Sequence, residues 1–186
     1  MDTAPTEIVE EGRYWHYAME VIDGQKPTGD EYRTRNKYFS VHDVARPQNL
    51  TVDDLPSADS EAIRDLDEKA LESEKVGGKW HVYGSAAMVN RLWPDVVADV
   101  DEQILWGAKA MTATGWEAHP GDDYMILVYT PNYFDKQDVD RVREHLRDEY
   151  GMTQELFYKP NVYSANGIQP DTAEEWGLSM AARYRA

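Results

Sequence analysis

GGKWHVYG, residues 77–84, alternates its chemistry at every position after the paired glycines. Lys79, His81 and Tyr83 fall on one side of an extended chain, and Trp80 and Val82 on the other. Side chains of a strand alternate between two faces, so a half-buried strand is predicted over 79–83. Its apolar side meets a core. Its other side is either a solvated strand face or a set of groups able to move protons and hold an anion.

Downstream, AAMVNRLWPDVVADV (86–100) sets Met88, Leu92, Val96 and Val100 on one helical stripe, with Val89, Trp93 and Val97 beside it. Pro94 is expected to kink that helix or divide it. QILWGAKAMTA (103–113) reads as a strand, and DYMILVYTP (123–131), the most apolar segment, as a central strand. DKQDVDRVREHLRDEYG (135–151) predicts a helix capped by Asp135, with Val139, Val142, Leu146 and Tyr150 inward and Gly151 at its end. QELFYKP (154–160) reads as a last strand.

Upstream, residues 1–11 read as a loose N-terminal end, 12–22 as an aromatic-rich strand, 23–31 as a loop, and NKYFSVHDV (36–44) as a weaker strand. Residues 47–60 suggest a loop or linker. Residues 57–75 predict a surface helix with a thin apolar stripe, capped by Ser57 or Asp59. The expected organisation is a single α+β domain over 12–168, its motifs in 77–168, and a C-terminal tail over 169–186. The expected architecture is a curved, mostly antiparallel sheet with helices packed on one face. A doubly wound parallel sheet would call for a glycine-rich strand-to-helix turn, and the chain contains neither GxGxxG nor GxxxxGK[ST].

The 186 residues carry 35 acidic against 19 basic side chains, a formal net charge of −16. Such a surface resembles that of proteins from salt-loving archaea, where concentrated salt screens carboxylate repulsion. Without a basic stripe, duplex nucleic acid is not an expected partner. There is no cysteine, and none of the five histidines is spaced with another as HxH or HExxH, so neither a disulfide framework nor a metal site is expected. No apolar run reaches the length of a membrane span, and a cytoplasmic location without membrane contact is the expectation.

Three constellations carry candidate chemistry. Lys109 shares its strand parity with Leu105, Gly107 and Met111, so desolvation would favour its neutral amine as a general base, with His81 as the acid and Lys79 holding an anionic oxygen. The plainer alternative is a snorkelling lysine beside an ordinary strand histidine. Trp106 and Trp116, two of six tryptophans, are candidates to stack a flat base; core packing is the alternative. Arg143 and Arg147 suit intrahelical ion pairs, whereas Arg183 and Arg185 in the tail could reach a phosphate.

GKWHVYGSAAMVNRLWPDV with LWGAKAMT, and VYTPNYFDKQDVDRVREHLR with FYKPNVYSANGI, resemble the DUF1917 (BLES03-like) family over roughly residues 77–168. That resemblance implies an α+β fold similar to translation initiation factor 4E. Lys79-Trp80-His81, a lysine in a following strand and Tyr129 are also similar to bacterial phosphothreonine lyases of the OspF and SpvC effector type. This second resemblance implies β-elimination of phosphate with Lys109 as base and His81 as acid, and Lys79, Tyr129, Arg183 and Arg185 on the phosphate. No cofactor is implied. The expected function is thus a phosphothreonine-lyase-like enzyme acting on a phosphopeptide. The alternative is a non-catalytic binding module recognising a nucleotide-like anionic ligand or a protein.

Overall fold

The computed structural model describes residues 3–18, 36–119 and 121–186. The expected strand beyond residue 18 and the loop over 23–31 lie outside them. In chain order the elements are β1 (Trp15–Tyr17), α1 (Asn36–Val41), α2 (Glu61–Glu72), β2 (Gly78–Gly84), α3 (Ala86–Asp101), β3 (Gly107–Met111), α4 (Ala113–Ala118), β4 (Tyr124–Thr130), α5 (Lys136–Asp148), β5 (Phe157–Pro160), α6 (Asn161–Ala165) and β6 (Tyr184–Arg185). The strand order is β1-β3-β4-β2-β5-β6. The pairs β1–β3, β3–β4 and β5–β6 are antiparallel. This is the expected α+β class.

The chain divides into two compact units, Met1–Tyr38 with His81–Tyr129, and Phe39–Trp80 with Thr130–Ala186. In the first unit, the register sets Trp15 opposite Met111, Tyr17 opposite Lys109, Lys109 opposite Leu127 and Gly107 opposite Tyr129. The alternate residues Ala108, Ala110, Ile126 and Val128 are at most 2% exposed and form the covered face. His16, on that same face, lies 5.5 Å from Trp93 of α3. The N-terminal segment, expected to be loose, packs Pro5 and Ile8 inward and exchanges hydrogen bonds between Thr6 and Asn90. Helix α3 runs unbroken through Pro94, which lies on its exposed side. There the missing N–H frees a carbonyl on the solvent side of the helix.

The 36–44 strand is corrected to helix α1. Tyr38 is fully buried with its ring edge-on to Trp106 at 5.3 Å, while Val41 is 62% exposed. A single inward aromatic anchors one helical turn, and nothing on the next turn demands the two-residue period of a strand.

In the second unit, α2 is no thin surface helix. Ile63, Leu66, Ala70 and Leu71 are buried together with Asp67. Ser60, rather than Ser57 or Asp59, caps it by accepting from Ile63 N, and the same hydroxyl donates to Trp176 O. Asp135 caps α5 as expected, accepting from Asp138 N, and Gly151 takes a positive φ of 67° beyond its end. The segment expected as a tail pairs along β5: Arg183 N donates to Tyr158 O, and Leu156 and Ala186 exchange two backbone bonds.

Candidate functional site

Two places bear on function, one in each unit. In the first, Trp15, Tyr17, Lys109 and Tyr129 project from the face opposite the covered one, and all four are half-buried. Lys109 Nζ lies 4.1 Å from the Trp15 ring centroid and 5.9 Å from that of Tyr17. An ammonium over an aromatic face is attracted as a cation by the ring quadrupole. Burial raises the Tyr17 phenol above its ordinary value, so it stays neutral. On the second half of β2, Val82 is buried at 2% exposure, which turns His81 and Tyr83 to the other side. His81 Nδ1 lies 3.2 Å from the Tyr83 hydroxyl. Burial raises the Tyr83 phenol as well.

Strand β4 stands between β2 and β3, which carry His81 and Lys109. Two strand spacings separate them, roughly 10 Å at the backbone. Trp106 and Trp116 are placed apart in role: Trp106 is 3% exposed and packs on Tyr38. Trp116 stacks on Tyr124 at 5.9 Å and donates its indole N–H to Gly121 O.

In the second unit, Lys79 is 6% exposed and donates to Asn161 Oδ1 at 2.9 Å and Ser164 Oγ at 2.8 Å. Lys159 of β5 is 7% exposed and donates to Gln169 Oε1 at 3.2 Å. Burial holds its amine below the ordinary lysine value. Lys159 carries no signal in the sequence, because FYKP offers one lysine among aromatics and no spacing marks it.

Neither tail arginine is presented as a phosphate clamp. Arg183 Nη2 lies 3.1 Å from Asp67 Oδ2, with the two side chains 4% and 0% exposed. Asp67 Oδ1 also accepts from the Tyr133 hydroxyl at 2.7 Å. Burial raises the Asp67 carboxyl above its ordinary value, and Arg183 and Tyr133 hold it back. Burial works against the Arg183 charge too, but Asp67 and Tyr163 more than offset it. Arg185 pairs with Glu155 at the surface.

The phenols around this pair are raised by burial first: Tyr133, Tyr163 and Tyr184, with Tyr158 nearby in the core. A phenol raised in the folded state contributes stability that is fully present below its unfolded value near 10 and is lost as pH rises through its native value. Alkaline titration of phenolate absorbance should therefore show a late phase from Tyr133, Tyr158, Tyr163 and Tyr184. The buried set ionises only in a cooperative step that coincides with loss of circular dichroism. Ionisation of this buried set with the fold retained would refute this burial pattern.

Among the described residues no three His, Asp or Glu side chains are grouped to hold a metal, and no helix is long and apolar enough to cross a membrane. Among solved structures, the chain is similar to schistosome eIF4E complexed with m7GpppA and 4E-BP, at 12% identity and a TM-score of 0.41, covering 82% of this chain and 80% of that one. It is similar also to C. elegans eIF4E-3 with the 4E-binding protein Mextli and a cap analog, at 12% identity and a TM-score of 0.43, covering 81% and 80%. Likenesses this distant bear on no ligand or activity. No curated protein matches the sequence. The family described as basophilic leukemia-expressed protein Bles03 matches residues 19–166, and with most of its length so matched, the chain belongs to the Bles03 family.

Proposed function

We propose that this protein is a binding module whose first unit takes a small, ring-bearing anionic ligand of the nucleotide kind. The observation that carries the reading is the face bearing Trp15, Tyr17, Lys109 and Tyr129, half-buried while the reverse face is closed by Ala108, Ala110, Ile126 and Val128. Half-exposed rings offer a stacking surface to a planar base, and a lysine cation among them favours a ligand with negative charge.

The lyase reading asks more of the same residues. It needs Lys109 as an uncharged base and His81 converging on one phosphate. A lysine lying over Trp15 is favoured as a cation, which supports binding over proton abstraction. The acidic whole-chain charge disfavours long polyanions and leaves room for a compact nucleotide.

Titration with nucleotides followed by tryptophan fluorescence tests this. Binding should quench emission, and Trp15→Ala should weaken affinity roughly 5- to 150-fold, the worth of one stacked base. Absence of binding at millimolar nucleotide, or affinity untouched by Trp15→Ala, overturns the proposal. So would loss of phosphoric acid from a phosphothreonine peptide that disappears in Lys109→Ala, which would install the lyase in its place.

A further inference from the structure

The second unit holds two buried lysines on neighbouring strands, and their register follows from three contacts. Asn161 N donates to Gly77 O at 2.8 Å. The Trp80 and Tyr158 rings meet edge-on at 5.2 Å. A Cβ on Gly78 would come within 2.3 Å of the Tyr158 hydroxyl, so that glycine is what admits the ring. As β2 ascends from 77 to 80, β5 descends from 161 to 158. Gly78, Trp80 and Tyr158 occupy one face, and alternation turns Lys79 and Lys159 together to the other. Cross-strand neighbours of like charge oppose pairing, an arrangement that sheets ordinarily avoid.

Around these lysines lie exposed polar side chains. Asn161, Ser164 and Gln169 are exposed, and each accepts a bond from a lysine ammonium through an oxygen. Each keeps hydrogen-bond donors of its own: two carboxamide NH2 groups and one hydroxyl. Lys159 places one of its three donors, on a neutral acceptor at 3.2 Å. Its charge is therefore carried at a cost that a bound anion would offset, and its lowered amine value agrees with this.

We propose that Lys79 and Lys159, with Asn161, Ser164 and Gln169 at the rim, form a binding site for a small oxyanion of the phosphate class. Several acceptor oxygens on one compact anion match a cluster of ammonium, amide and hydroxyl donors on two strands and the segments that follow β5. The site is built from residues of the second unit, and the aromatic face from residues of the first. Inorganic phosphate carries no ring and does not probe that face, so either proposal can fail alone.

The test is thermal unfolding of the full chain with inorganic phosphate against chloride at matched ionic strength. Wild type should gain a saturable rise in Tm with phosphate beyond the chloride effect. Lys159→Met should abolish that gain and Lys159→Arg should keep it. Should the methionine variant not fold, Ser164→Ala, at an exposed position, should reduce the phosphate response. Equal responses of wild type to phosphate and chloride overturn the site. A phosphate response unchanged in Lys159→Met, or in Ser164→Ala where that variant is the one measured, overturns it too.

Discussion

Arg183→Ala should lower the unfolding free energy by about 3–5 kcal/mol, the cost of stranding one member of a buried ion pair. The side chain is 4% exposed, and its partner Asp67 is fully enclosed. Removing the guanidinium leaves the Asp67 carboxylate with the Tyr133 hydroxyl as its remaining strong donor. The carboxyl then takes up a proton or stays charged at the desolvation cost. Asp67→Ala should cost a comparable amount for the mirrored reason. A double replacement by apolar residues of similar size, Asp67→Leu with Arg183→Met, should recover much of the loss, since no charge is then left unpaired. Denaturant unfolding of the single and double variants reads this directly. A single variant that costs under about 1 kcal/mol would show that water reaches the pair and that it behaves like a surface bridge.

Trp80→Ala should cost a similar 3–5 kcal/mol through a cavity in the second unit. The indole is fully buried, edge-on to Tyr158, and its N–H donates to Val139 O in α5 at 2.9 Å. Trp80→Phe should cost less, since it keeps a ring against Tyr158 and loses the N–H bond together with part of the filled volume. Equal costs for the two variants, measured by denaturant midpoint at constant m-value, would contradict a packing origin.

These two positions mark different limits of what a sequence discloses. Trp80 was legible, because alternation in GKWHVYG assigns it to the core side of its strand whatever lies opposite. Arg183 was not. As one of two arginines near the chain end it reads as a tail cation, and only the pairing of β6 along β5 carries it to Asp67, 116 positions earlier by number. Lys159 hid for a related reason: nothing near it in sequence announces burial, and Gly78 admitting the Tyr158 ring is what fixes the face it takes. The helix at 36–41 shows the converse failure, where the local sequence reads as a weak strand and one buried tyrosine decides otherwise.

The sequence by itself determined the α+β class, most of the strands and longer helices, the cap on α5 and the polar side of β2, because each depends on periodicity or on chemistry within a few residues. Tertiary structure decided what the charged groups do. It laid Lys109 over Trp15, enclosed Arg183 with Asp67, and turned Lys79 and Lys159 to one face. Charge is an attribute of a residue, but its partner and its exposure to water are set by which strands adjoin, and strand adjacency is a long-range property that no local pattern encodes.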